Sequence, residues 1–195
     1  MKKAYVVVGP ESSGTRLITK LLIDAGCFGD GGHGQSLDKS GDQSREFLEE
    51  SRLPQDDTPI VWRRSYPHAG KWLDISKPIS QLQRKGYEVR VVVTTRDWFP
   101  MIQSQMKERH VKDETVGLHN VQKAYRMIFE KLPKDTPFVI ASYESIARYR
   151  WKAVRRLFET LQVWKPRLVK TITDENFKWY FGKEKRPPAS GRRSP

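Results

Sequence analysis

Cysteine is nearly absent from this chain of 195 residues, with Cys27 standing alone. One thiol forms no internal disulfide and builds no zinc cluster by itself, so a disulfide framework and a cysteine-based metal fold are both set aside. The expected place for Cys27 is a small buried apolar site. Long hydrophobic runs are lacking too. No stretch of about 18 apolar residues occurs, which argues against a membrane-spanning helix. Lys2 and Lys3 are followed by an apolar run that stops at Gly9 and Pro10, too short for the core of a secretory signal. The sequence contains no internal repeat. Together these absences predict a soluble, cytoplasmic protein. Negative charge is also scarce. There are 23 Asp and Glu against 36 Lys and Arg, a formal net charge of +13 and a pI of about 9.9. Such an excess favours polyanionic partners, among them nucleotides, acidic or sulfated glycans, nucleic acid and anionic membrane surfaces, without choosing between them.

What is present suits one domain with a full hydrophobic core. Residues 4–8, 59–63, 87–95 and 137–142 are rich in β-branched or aromatic residues and bounded by Gly, Pro or polar residues, so they read as strands. The runs 6–8 and 89–93 are almost continuously apolar, as in parallel strands covered on both faces. Helical periodicity falls between them. Residues 14–25 place Leu17, Ile18, Leu21, Leu22 and Ala25 on one face. Asp97 can cap a helix that runs to about Glu108, with Pro100 tolerated in its first turn. Residues 115–131 present Val121, Ala124, Tyr125 and Ile128, and residues 144–161 present Val154, Leu157, Phe158 and Leu161. Strands alternating with helices predict a three-layer α/β fold with a mainly parallel central sheet and ligands at the carboxyl ends of its strands. Two stretches fit neither pattern. Residues 28–42 form a long Gly-, Asp- and Ser-rich loop of the kind that is functional or mobile. Residues 183–195 carry five basic residues and three prolines but no large apolar side chain. They are expected to be a disordered basic tail behind a single domain of residues 1–182.

The chemistry concentrates in Val6-Val7-Val8-Gly9-Pro10-Glu11-Ser12-Ser13-Gly14-Thr15-Arg16. A buried strand runs into a small-residue loop that opens an amphipathic helix. Backbone N–H groups, the helix dipole and short hydroxyl side chains then converge on one point, which suits phosphate or a similar oxyanion. Gly9 and Gly14 have the G-x-x-x-x-G spacing of a nucleotide-binding P-loop. In an ATPase or kinase a lysine and a hydroxyl residue would follow, the first for the β- and γ-phosphates and the second for magnesium. Here Thr15 and Arg16 follow. Later, residues 87–95 end not on a magnesium-binding carboxylate but on Thr94-Thr95-Arg96. Both features count against ordinary nucleoside-triphosphate chemistry.

Ser13-Gly14-Thr15 inside Gly9–Arg16 resembles the 5′-phosphosulfate loop of sulfotransferases that use 3′-phosphoadenosine 5′-phosphosulfate (PAPS), and the Gly-Thr-Arg ending is similar to the glycan-sulfating branch of that family. A second pair of residues is similar as well: Arg96 at a strand end and Ser104 eight residues later. The resemblance implies a P-loop-like fold. It also implies a 5′-phosphate held by Ser12, Ser13, Gly14, Thr15 and Arg16, and a 3′-phosphate clasped by Arg96 and Ser104. The planar fork of Arg96 suits phosphate oxygens, and Ser104 about two helical turns along can meet the same group. Tyr143-Glu144 and the stretch Asp174-Glu175-Asn176-Phe177-Lys178-Trp179-Tyr180 resemble later segments of the family, so the likeness spans residues 6–180. The implied reaction moves a sulfuryl group from PAPS to a hydroxyl or amine acceptor, small molecule or glycan, with no metal expected.

Much of the family has a lysine immediately before its Ser-Gly-Thr; this chain has Ser12. Positive charge near the leaving group is then expected from Arg16 or from the exit Trp62-Arg63-Arg64-Ser65-Tyr66-Pro67-His68. Aligned on Pro67 with the Lys-Thr-His-x-Pro of small-molecule sulfotransferases, Arg63 takes the lysine slot and Ser65 the histidine slot. Arg63 or Arg64 is expected to contact the sulfuryl group and His68 to act as general base, since imidazole titrates near neutrality. His33 and Glu11 are the competing bases, while His110 and His119 are expected on solvated helix faces. Residues 28–42 and 65–75 should line the acceptor, with Tyr66 or Trp72 as aromatic contacts. Two other functions fit parts of the sequence. A P-loop kinase for a small metabolite shares the loop and predicts magnesium-dependent ATP binding. A non-catalytic nucleotide or nucleic-acid binder fits the charge and the six tryptophans, but these are scattered and no nucleic-acid motif accompanies them.

Overall fold

The computed structural model describes residues 2–29, 48, 50–68, 70–163, 172 and 174–180. Its centre is β1 (Lys3–Pro10), paired in parallel with β3 (Ile60–Tyr66) on one side and β4 (Glu88–Thr95) on the other. A two-residue strand, β2 (Phe28–Gly29), extends the sheet beyond β3, and β5 (Phe138–Ser142) extends it beyond β4. All four pairings are parallel, in the order β2-β3-β1-β4-β5. The order reverses at β1, and this opens a crevice at the carboxyl ends of β1 and its two neighbours.

Side-chain alternation builds the layers. Ala4, Val6 and Val8 of β1 pack toward α2 (Ser76–Arg84) and α4 (Glu114–Lys131). Tyr5 and Val7 pack toward α1 (Thr15–Asp24), α5 (Tyr143–Tyr149) and α6 (Trp151–Leu161). Both faces of β1 are thus sealed, which is why its sequence shows no polar alternation. Fully burying a valine side chain stabilises by about 1.5–3 kcal/mol, and Val6, Val7 and Val8 are all fully buried. Helix α3 (Trp98–Lys107) lies on α4 through Met101, Ile102 and Val121. As expected from the sequence, Asp97 caps it, accepting a hydrogen bond from the Phe99 N–H at 3.0 Å. The short α7 (Phe177–Tyr180) packs beside α3, with the Phe99 and Tyr180 rings stacked 5.6 Å apart. Among the described residues no helix is long and apolar enough to cross a membrane. Cys27 is buried as expected, and burial pushes its thiol up to about 12.

The α/β expectation holds, and several details differ. Strand β3 continues three residues past Arg63, because Arg64, Ser65 and Tyr66 pair with Val8, Gly9 and Pro10 of β1. Strand β2 is only two residues long, and helix α2, with Ile75, Ile79 and Leu82 at helical spacing on the core, is not among the expected helices. The expected helix over 144–161 is two helices broken at Arg150, whose φ of 48° and ψ of −120° belong to neither. The basic tail 183–195, His33 and nearly all of loop 28–42 lie outside the described residues.

Candidate functional site

Strand β1 delivers the loop Glu11–Gly14 to the crevice. The turn needs left-handed backbone at Ser12 (φ 65°) and at Gly14 (φ 100°). The Gly14 Cα also lies against Tyr143, where an added Cβ would come within 3.1 Å of the ring. No side chain caps the first turn of α1. Gly9 is required for a different reason: a Cβ there would sit 2.1 Å from Thr94 Oγ1. That closeness lets the Ser13 hydroxyl pair with Thr94 Oγ1 at 2.6 Å and ties the loop to β4. Ser13 is therefore fully buried, with its hydroxyl engaged in holding the loop. On the other side Thr15 Oγ1 lies 3.2 Å from Ser65 Oγ, which ties α1 to β3.

Strand β4 ends by aiming Arg96 back at this loop. Its Nη1 donates to the Ser12 carbonyl at 2.9 Å, and its Nε donates to Asn176 Oδ1 at 2.6 Å. The guanidinium carbon stacks 4.5 Å from the centre of the Tyr143 ring, and the Tyr143 hydroxyl accepts from the Glu175 N–H at 2.7 Å. Asn176 is set in turn by Glu144, whose Oε1 accepts from Asn176 Nδ2 at 2.9 Å. Burial pulls the Arg96 pKa below its ordinary value, while Tyr143, Glu144, Asp174 and Glu175 oppose that pull. Its remaining nitrogen, Nη2, is shut off from solvent and has no hydrogen-bond partner among the described residues. A buried guanidinium N–H without a partner carries a desolvation cost.

Loop and guanidinium open on one cleft of about 780 Å³. Of the residues singled out from the sequence, Glu11, Ser12, Gly14, Thr15, Arg16, Arg63, His68, Arg96 and Ser104 all line it. Arg64 does not. Alternation along β3 sends Arg63 and Ser65 toward the cleft and turns Trp62, Arg64 and Tyr66 into the opposite layer, where the Arg64 guanidinium lies 4.2 Å from the centre of the Trp62 ring. Of these two arginines, Arg63 is the one on the cleft wall. Tyr66 belongs to the core, and Trp72 packs against it with Lys123 Nζ 4.3 Å from its ring centre. Among the described residues the aromatic one on the cleft wall is instead Trp179. His119 is exposed on α4 as expected, but His110 also lines the cleft, with its Nδ1 3.1 Å from Glu11 Oε2. No local sequence signal joins those two residues, because the pairing comes from how α3 packs across the loop.

No protein-family model and no curated protein matches this chain. Among solved structures it is similar to mouse sulfotransferase SULT7A1 complexed with PAP. Sequence identity there is 12%, the TM-score is 0.49, and the alignment covers 89% of this chain. The chain spans 60% of the length of that structure.

Chemically, the cleft offers, among the described residues, an uncapped helix start, four cations (Arg16, Arg63, Arg96 and Lys178), two imidazoles and the carboxylates of Glu11, Glu108 and Glu175. The cations favour an anionic ligand. Carboxylate and imidazole groups on the same walls can accept a proton.

Proposed function

We propose that this protein is a sulfotransferase that transfers a sulfuryl group from PAPS to a hydroxyl or amine acceptor. The observation that carries this reading is the Arg96 guanidinium, seated on the Ser12 carbonyl of the loop and lining the same cleft as Ser104. In this reading the loop Ser12–Arg16 cradles the 5′-phosphosulfate, and Ser13 serves by fixing the loop to Thr94. Arg96 and Ser104 hold the 3′-phosphate. Tyr143, Glu144 and Asn176 keep the Arg96 fork oriented.

Sulfuryl transfer, like phosphoryl transfer, is expected to pass through a loose transition state, so the protein contributes mostly alignment and electrostatics. Arg63 is 6% exposed and points from β3 into the cleft. It would stabilise charge that develops on the departing phosphate oxygen, with Arg16 adding charge at the start of α1. These two arginines take over the task left by Ser12, where much of the family has lysine. His68 and Glu11 both face the cleft, and either can serve as base in this reading.

The test is calorimetry with adenosine 3′,5′-bisphosphate and with ATP, each with magnesium and with EDTA. The expected result is bisphosphate binding that EDTA leaves unchanged. Arg96→Ala should weaken that binding by about 10- to 100-fold, the range for a hydrogen bond to a charged group. Magnesium-dependent ATP binding with no affinity for the bisphosphate would overturn the reading in favour of a kinase.

A further inference from the structure

Glu11 is an unusual residue to find inside an anion-binding loop, and the structure holds it from three sides. Its N–H donates to the Tyr66 carbonyl at 3.0 Å, and its own carbonyl accepts from Gln105 Nε2 at 2.7 Å. Its carboxylate meets His110 Nδ1 at 3.1 Å, with 15% of the side chain exposed. The fold also brings His110 there deliberately. Helix α3 ends, Arg109 takes a left-handed conformation at φ 59°, and the His110 N–H returns to the Gln105 carbonyl at 2.8 Å. Gln105 thus anchors both partners, the loop through its side chain and His110 through its backbone. The His110 ring is 47% exposed, so the pair joins a shielded carboxylate to solvent. None of this is needed to grip a polyanion, which a carboxylate repels.

We propose that Glu11, held in place by His110, is the group that takes the proton from the acceptor, so that Glu11 is the catalytic base and His110 a positioning residue. This rests on the sulfotransferase reading. In the step, the acceptor oxygen or nitrogen forms a bond to sulfur and the bond from sulfur to the donor phosphate oxygen breaks. The electron pair of that bond stays on the phosphate. The acceptor proton passes to the Glu11 carboxylate, and the resulting acid loses it to solvent past His110. The charged or titratable groups on the same cleft are Arg63 and His68 from the β3 side, Arg96 from β4, Arg16 from α1, Glu108 after α3, and Glu175 and Lys178 from the segment around α7. Burial holds the Glu11 carboxyl above its ordinary range, and His110 works against that rise. A carboxylate raised toward neutrality is a better base than an ordinary one.

The experiment compares wild type with Glu11→Gln, Glu11→Asp, His110→Asn and His68→Ala. For each, adenosine 3′,5′-bisphosphate affinity is measured by calorimetry, and bisphosphate release from PAPS is followed against pH with water, 2-naphthol and glucosamine as acceptors. Glu11→Gln should bind the bisphosphate at least as tightly as wild type and lose turnover by about 10²- to 10⁴-fold, the usual range for general-base catalysis. Glu11→Asp should recover part of that loss. His110→Asn should move the acidic limb of the turnover profile to higher pH, because His110 lowers the Glu11 pKa. The proposal is overturned if Glu11→Gln turns over like wild type, or if His68→Ala alone abolishes turnover. It is equally overturned if wild type binds the bisphosphate yet releases none from PAPS. Wild type that fails to bind the bisphosphate at all is a different failure: the donor reading falls first and the base assignment goes with it.

Discussion

A guanidinium fixed by two hydrogen bonds and a ring face has a defined direction, and Arg96 has all three. Lysine in its place keeps the charge but cannot reach the Ser12 carbonyl and Asn176 Oδ1 from one rigid plane. Arg96→Lys should therefore lower bisphosphate affinity about tenfold, or roughly 1.4 kcal/mol, by calorimetry. Glu11 makes a prediction for stability. Its folded pKa lies above the ordinary value of 4.5, chiefly because of burial. The folded state therefore binds this proton more tightly than the unfolded chain. The stabilisation is complete below the unfolded pKa and is lost as pH rises through the folded one. Melting curves from acid to neutral pH should show that loss in wild type and a flatter dependence in Glu11→Gln. An unchanged profile would mean that the carboxyl is not shielded. At this scale the loop was legible in the sequence because its residues are contiguous and their sizes and hydroxyls carry the signal. Arg96 and Ser104 were singled out by the family resemblance, and both line the cleft. His110 was not, since nothing in the local pattern around it reports that α3 will set it against residue 11.

At the scale of elements, two backbone positions can be tested directly. Gly9→Ala would force Thr94 and Ser13 away from β1, where the nearest atoms stand 2.1 Å and 2.5 Å from the added Cβ. Overpacking of this kind costs about 1–3 kcal/mol, so urea denaturation should show a lower midpoint. Arg150 presents the opposite case. It is exposed, and it occupies a backbone region that glycine tolerates far better. Arg150→Gly should raise stability by about 1 kcal/mol in the same assay. The continuous helix expected over 144–161 missed this break because the apolar spacing of α6 hides a junction that only the backbone angles reveal. Strand β3 was read too short for a related reason. Two arginines and a serine look like an exit from the sheet, yet the pairing with Val8, Gly9 and Pro10 continues and Arg64 is buried against Trp62. Strands β1 and β4 were readable because both of their faces are covered, which leaves an apolar run in the sequence.

At the scale of the whole molecule, ligand and fold should be linked. A ligand that binds only the native state adds about 2.7 kcal/mol of stability at a concentration 100 times its dissociation constant. For a chain of this size each kcal/mol raises the melting temperature by about 2–4 °C. Adenosine 3′,5′-bisphosphate should thus raise the melting temperature of wild type by several degrees, and by far less in Arg96→Ala at the same concentration. A protein whose melting ignores the bisphosphate does not use it. The reversal of strand order at β1 has a further consequence. Arg96, Ser104 and Asn176 approach from the β4 flank, whereas Arg63, Ser65 and His68 approach from the β3 flank. On the proposed reading the β3 flank serves both partners, because Ser65 steadies the loop through Thr15 and Arg63 faces the leaving group. Redesign for a new recipient molecule therefore has to spare those two residues and work from His68 outward.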